Sequence, residues 1–134
     1  MIRISLLMLL VLLGIQGFSQ VEHNFKMDPE NTDCHLIKNE DKTPDELISE
    51  ITSRTFRYVQ RINISRYRSP RSLYYYSCDG QSGYIIAVIN ESESVLFTDI
   101  QRTTWDEMLE TRDILEYYNG QFLKNHSPFT GKPG

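Results

Sequence analysis

Three extended runs joined by short turns constrain the fold of this chain more than any other feature of its sequence. Residues 73–78, 84–89 and 95–100 are rich in β-branched and aromatic side chains. The two connections between them hold Asp, Gly, Asn and Ser, and both are short enough for antiparallel hairpins. The sequence therefore predicts a three-stranded antiparallel meander.

The central run, residues 84–89, is apolar on both of its faces, so a helix is expected on each side of the sheet. The first predicted helix spans residues 44–62, with Thr43 as its cap, Pro44 at its first position and an amphipathic pattern along its length. The second spans residues 104–124 and is predicted to bend near residue 113, because its apolar stripe changes direction there. The predicted fold class is α+β, with one helix before the meander and a bent helix after it.

The ends of the chain carry different signals from its middle. Residues 1–19 contain Arg3, an apolar stretch and then small residues, which is typical of a secretory signal peptide. An uncleaved membrane anchor is the alternative, which the shortness of the apolar stretch disfavours. Residues 20–42 predict a flexible acidic leader, residues 43–125 the folded domain, and residues 126–134 a loose tail. We therefore expect an exported protein, in the periplasm or outside the cell, with no transmembrane segment after processing.

The two cysteines, Cys34 and Cys78, fit an exported protein. Outside the cytosol an even pair of cysteines indicates a disulfide. The alternative is that Cys78 is a small buried apolar residue on a strand and Cys34 a free thiol. No metal site is predicted, since the three histidines show no ligand spacing, and no cofactor is predicted, since the phosphate-binding and dinucleotide-binding motifs are absent from the sequence.

Arginine is concentrated in one stretch of the chain. Residues 51–78 contain no Asp or Glu, although the whole chain has a formal net charge of −4. Because a guanidinium group matches phosphate and carboxylate geometry, this stretch predicts a site for an anionic lipid, an acidic glycan or an acidic protein surface. The predicted anion-binding residues are Arg54, Arg57 and Arg61 on one flank of the first helix, and Arg66 and Arg68 beyond it.

Two alternatives bear on these arginines. They are also typical of a solvated helix face whose charges pair with the acidic second helix. Binding to nucleic acid is not expected, because an acidic chain does not favour phosphate contacts along a polymer. The aromatic run at residues 74–76 could likewise form a sugar-binding or peptide-binding platform or pack in the core.

Catalysis has little support in the sequence. The nucleophile-elbow motif is absent, and the three histidines fall in segments expected to be mobile, so no general base is positioned beside a nucleophile. A non-catalytic binding module is therefore the predicted function. The alternative is a small periplasmic hydrolase that uses carboxylates of the C-terminal helix, such as Asp106 and Glu110, although a charged helix flank is the commoner meaning of such a pair.

The stretch from residue 95 to residue 122 resembles the second half of the KTSC domain. The pattern consists of a strand with alternating large side chains, a helix, a break and an aromatic pair before Asn. Its counterparts here are Val95, Phe97, Trp105, Leu109, Tyr117, Tyr118, Asn119 and Phe122. With the two preceding strands, the resemblance covers residues 71–122, and it departs from the family where Gln101 replaces the usual Pro. It implies a small α+β domain and carries no established activity or catalytic residues.

Overall fold

A computed structural model describes residues 21–25, for which only the backbone is considered, and residues 32–131. The signal peptide predicted over residues 1–19 lies outside the described residues, as do residues 132–134 of the predicted tail.

An antiparallel sheet forms the centre of the molecule, and its strands are neighbours in the order in which they occur along the chain. The strands are β1 (Val21–Phe25), β2 (Tyr58–Asn63), β3 (Ser72–Ser77), β4 (Ser82–Val88) and β5 (Ser94–Gln101). The predicted meander corresponds to β3, β4 and β5, so the α+β class is confirmed. The predicted count of three strands is wrong, because β2 makes the meander four-stranded and β1 adds a further strand at its edge.

The helices lie before and after the meander. They are a short 3-10 helix (Cys34–Leu36), α1 (Pro44–Ser53), α2 (Arg102–Glu110), α3 (Ile114–Tyr117), a π-helical turn (Tyr118–Phe122) and α4 (Leu123–Asn125).

The helix predicted over residues 44–62 begins as expected but ends nine residues early, at Ser53. At its start the Glu46 N–H donates to the Thr43 hydroxyl at 3.2 Å. At its end Arg54 turns to extended backbone, and residues 58–63 form β2 instead. The apolar positions of β2 fit helical spacing and strand alternation almost equally well, and antiparallel pairing with β3 along all six residues decides in favour of the strand.

The sheet is covered on both faces, as the apolar central strand predicted. On one face Leu47 and Ile51 of α1 pack against Ile86 and Leu96. On the other face the residues after β5 supply most of the core. That second core includes Trp105, Met108, Tyr118 and Phe122 packed against Leu73, Tyr75, Ile85 and Phe97.

The predicted bend of the C-terminal helix is confirmed as a break between α2 and α3. Residues 111–113 are not helical, and Asp113 begins α3 by accepting the Glu116 N–H at 3.1 Å. The first segment starts at Arg102 rather than at residue 104, because β5 runs directly into the helix.

The described part of the predicted leader, residues 32–42, is part of the folded domain. Cys34 is buried and forms a disulfide with Cys78, with 5.8 Å between their Cα atoms, which confirms the predicted pair. The Tyr84 hydroxyl also donates to the Asn39 side chain at 2.9 Å. The disulfide and the aromatic surface of the sheet therefore supply packing partners that the composition of these residues lacks.

The described part of the tail, residues 126–131, contacts the domain at Phe129. The Phe129 N–H donates to the Leu96 carbonyl at 2.7 Å, and the Phe129 ring packs against the α1 side of the core. Phe129 therefore crosses the outer edge of β5 and bonds to part of the backbone that an edge strand leaves exposed.

Candidate functional site

The structure does not place Arg54, Arg57 and Arg61 on one helix flank, as the sequence predicted. Arg54 ends α1, Arg57 lies in the connection to β2, and Arg61 lies within β2. Arg66 and Arg68 follow in the β2–β3 loop. Since a strand rises about 3.3 Å per residue, the loops at the two ends of β2 are roughly 17 Å apart or more. The five arginines therefore fall into separate groups along β2. Their role in anion binding stays a prediction.

Arg54 is neutralised by carboxylates of its own neighbourhood. Its guanidinium lies 3.3 Å from Asp33 and 3.3 Å from Glu50. The Thr55 N–H bonds to Asp33 and lowers the pKa of that carboxyl, while the Lys42 ammonium, which also contacts Glu50, lowers the pKa of Glu50. Arg54 therefore joins residues 32–42 to α1. Its partners are not those of the alternative interpretation, which paired the arginines with the acidic second helix.

Arg61 lies on the α1 face of the sheet and is held by its neighbours. Its guanidinium carbon is 5.2 Å from the ring centroid of Tyr74, and its Nε donates to Asn63 at 2.9 Å. Tyr74 in turn stacks on Tyr76, with 6.3 Å between ring centroids. The middle residue of the run, Tyr75, is fully buried on the other face and stacks on Trp105. Strand alternation therefore divides the three tyrosines between the core and a half-buried pair beside Arg61.

The β2–β3 loop, residues 64–71, is here called the arginine loop. Its two ends are joined by backbone hydrogen bonds, since the Ile64 and Ser65 N–H groups both donate to the Arg71 carbonyl, at 2.8 and 3.1 Å. The Arg68 N–H donates to the Ser65 carbonyl at 3.2 Å, and Pro70 is fully buried. The base of the loop is therefore anchored to the sheet, while residues 66–69 are exposed.

The exposed side chains of the arginine loop are basic and aromatic. Tyr67 is 81% exposed, the largest value among the large hydrophobic residues of the described part of the chain. The Arg66 guanidinium carbon lies 4.9 Å from its ring centroid. Within residues 32–131, neither Arg66 nor Arg68 forms an ion pair. Among the described residues, this end of the sheet therefore presents two positive charges without an ion pair beside one exposed ring.

Arg71 belongs to the same loop, although it is not among the five predicted site residues. Its guanidinium lies 4.0 Å from the carboxylate of Glu91, whose side chain is 92% exposed on the β4–β5 loop. The signal that could have included Arg71 was the acid-free stretch itself, because it extends past residue 71 to residue 78.

A groove of about 1110 Å³ opens between the end of β2 and the break between α2 and α3. Apolar side chains such as Ile62, Ile64 and Leu109 line it together with charged residues such as Arg112 and Glu116. Among the described residues, no cluster of His, Cys, Asp or Glu side chains has the composition to hold a metal ion. The groove is thus a mixed surface without a concentrated chemical group.

The carboxylates of α2 are engaged locally. Asp106 lies 3.8 Å from Arg102 one turn earlier, and Glu107 accepts a hydrogen bond from the Tyr117 hydroxyl at 3.1 Å. Burial, and then the Glu107 carboxylate, raise the pKa of Tyr117. Glu110 is exposed at the end of the helix. These contacts are those of a charged helix flank.

Comparison of the chain with family models, curated proteins and solved structures finds no match. The resemblance to the KTSC domain therefore stays a prediction. In the part of the chain that the structure describes, the helices are all too short or too polar to cross a lipid bilayer.

Proposed function

We propose that this protein is a non-catalytic binding module that holds an anionic partner through its arginine loop. The observation that carries the proposal is the exposed sequence Arg66-Tyr67-Arg68, whose two guanidinium groups make no ion pair among the described residues. These two arginines are the members of the predicted set that remain together and accessible.

The anchored base of the loop supports a binding role. Hydrogen bonds to Arg71 and the burial of Pro70 fix both ends of the loop before any partner arrives. A loop that is already ordered loses less conformational entropy on binding, so more of the interaction free energy appears as affinity. Each guanidinium can then give two parallel hydrogen bonds to a phosphate, sulfate or carboxylate group.

The proposal extends to where the protein acts. A disulfide that ties residue 34 to residue 78 is stable in an oxidising compartment. Together with the signal-peptide pattern of residues 1–19, it supports an exported protein of the periplasm or the extracellular space. Membership of the KTSC family is part of the same proposal and rests on the sequence pattern alone.

Retention on immobilised heparin tests the anion-binding role, with heparin used as a sulfated polyanion of known chemistry. We expect the wild-type protein to be retained despite its net charge of −4, and to be eluted by NaCl, which screens the contacts. The double variant Arg66→Gln/Arg68→Gln should elute at a clearly lower salt concentration.

The matched control is Arg57→Gln, because Arg57 is also exposed but lies at the opposite end of β2. It should elute within experimental error of the wild type. Equal shifts per charge removed from Arg57 and from the loop would show that only overall charge matters. That result, or an absence of retention at low salt, would contradict the proposal.

A further inference from the structure

The same loop points to a particular class of partner, and this inference rests on the proposed function. We infer that the arginine loop docks on a bilayer that contains anionic phospholipids, with Tyr67 at the boundary between head groups and acyl chains and the flanking arginines on lipid phosphates.

The exposure of Tyr67 supports docking on a lipid surface. An 81% exposed aromatic ring keeps apolar surface in water, and within residues 32–131 its hydroxyl makes no hydrogen bond. Tyrosine is enriched at membrane–water interfaces because its ring is apolar and its hydroxyl remains hydrated there. Insertion of this ring among lipid head groups would remove the apolar surface from water and leave the hydroxyl solvated.

The positions of the arginine charges beside Tyr67 also support this docking. Arg66 and Arg68 immediately flank Tyr67, so a surface that receives the ring also meets both guanidinium groups. The contact between Arg66 and the ring shows that the long arginine side chain can follow the tyrosine. Each basic residue close to an anionic bilayer raises the partition coefficient about fivefold at low salt.

The shape of the site favours a lipid surface over a glycan or a peptide. Sites for small ligands are concave and enclose most of the ligand. Tyr67 instead stands clear of the sheet at the turn of a hairpin loop, with exposed residues on both sides. A single projecting ring between positive charges suits a broad negative surface.

Glu91 acts against this docking and provides a test of opposite sign. Its carboxylate lies 4.0 Å from Arg71 and is itself highly exposed, so it compensates the third arginine of the loop and repels anionic lipid. Glu91→Gln should therefore strengthen binding, whereas loss of either positive charge should weaken it. Few structural side effects are expected, because the Glu91 side chain is almost fully in water.

Co-sedimentation with vesicles tests the inference. The purified mature protein, without the signal peptide predicted over residues 1–19, would be mixed with vesicles of phosphatidylcholine and phosphatidylglycerol at a ratio of 3:1, and with phosphatidylcholine alone, at 50 and 300 mM NaCl. We expect binding to the anionic vesicles that falls at the higher salt concentration.

Four variants give the expected order. Arg66→Gln/Arg68→Gln should lower the partition coefficient at least tenfold, Tyr67→Ser should lower it severalfold, Glu91→Gln should raise it, and Arg57→Gln should leave it near the wild-type value. Circular dichroism of each variant checks that the fold is retained.

The outcomes separate this inference from the proposed function. Loop-dependent retention on heparin without loop-dependent binding to vesicles would overturn the lipid partner and leave an acidic glycan or protein as the anionic partner. An absence of loop-dependent binding to both probes would overturn both. Full vesicle binding by Tyr67→Ser would overturn the role of the ring.

Discussion

Gly83 and Gly120 differ in the space that surrounds them, so the addition of a single methyl group should have different effects at the two positions. A Cβ atom at Gly83 would overlap the backbone of the neighbouring strand, within 2.9 Å of the Ser77 Cα and closer still to the Tyr76 carbonyl group. The site adjoins an irregularity in the pairing of β4 with β5 between residues 83 and 85. At Gly120, in the π-helical turn, a Cβ atom would meet nothing within 4 Å.

These environments predict substitutions of opposite effect. Gly83→Ala should lower the free energy of unfolding by about 2 kcal/mol or more, because a backbone cannot move aside as a side chain can. Gly120→Ala should raise it by about 0.5–1 kcal/mol, because alanine has less conformational entropy to lose in a helix. Urea unfolding followed by the fluorescence of Trp105, the single tryptophan, measures both. Equal effects of the two substitutions would show that the close approach at Gly83 is incorrect.

The strand β2 shows why residue patterns alone mispredicted part of the fold as helix. Tyr58, Val59 and Ile62 are spaced to continue the stripe of α1, and they also alternate well enough to form a strand. What decides between the two is the partner strand, since each residue of β2 faces one of β3. A helix at these positions would have left that edge of the meander unpaired.

The candidate site was affected by the same ambiguity. As a helix, residues 54–61 would have aligned three arginines. As a connection and a strand, they place Arg54 against Asp33 and Arg61 against Tyr74. Arg66 and Arg68 were predicted to lie beyond the helix, and they are exposed in the arginine loop. Their placement did not depend on where α1 ends.

The segment from residue 32 to residue 42 depends on the disulfide for its place in the domain. The cross-link closes a loop across a sequence separation of 44 residues, which corresponds to about 4 kcal/mol on the loop-entropy relation. The double variant Cys34→Ser/Cys78→Ser avoids an unpaired thiol, and we expect its free energy of unfolding to fall by about 2–4 kcal/mol. Urea unfolding of the variant, and of the wild type with and without reductant, measures this.

The salt bridges of this segment predict which residues should lose protection when the disulfide is removed. Because Asp33, Lys42 and Arg54 join it to α1, amide hydrogen exchange should increase first over residues 32–42 in the variant and least in β4. Unchanged stability in the variant would mean that packing alone holds the segment in place.

Across the whole molecule, the two sides of the four-stranded meander are contacted by parts of the chain that were predicted to be unstructured. The backbone of β1 pairs with β2 at one edge, and Phe129 bonds to β5 at the other. Composition could not show this, because both flanking segments lack a hydrophobic period of their own. These segments are held in place by the unpaired backbone groups of the edge strands β2 and β5. Phe129 also packs against apolar side chains at the border of the core. The strands β3, β4 and β5 have an apolar and aromatic pattern of their own, so their ends could be predicted to within about two residues.

The aromatic core on the α2 face of the sheet gives the molecule a sensitivity to alkaline pH. Burial raises the pKa of Tyr75 and of Tyr118 to about 12, against an ordinary value of 10.0. In the unfolded chain both hydroxyls lose their protons near pH 10, whereas the folded protein keeps them. Stability from these groups is therefore complete below pH 10 and falls as the pH rises from 10 towards 12, by about 1.4 kcal/mol per pH unit for each group.

Urea unfolding at pH 8, 10, 10.5 and 11 should show this fall, with Trp105 fluorescence as the signal and non-reducing electrophoresis confirming that the disulfide is intact. Tyr118→Phe is the matched variant, because among the described residues the Tyr118 hydroxyl makes no hydrogen bond, whereas Tyr75 donates to the Ile100 carbonyl at 3.0 Å. The variant should match the wild type at pH 8 and lose stability less steeply above pH 10, by the contribution of one proton. Identical slopes for the two proteins would mean that Tyr118 titrates in the folded state as it does in water, and that the core formed by the C-terminal helices is open to solvent.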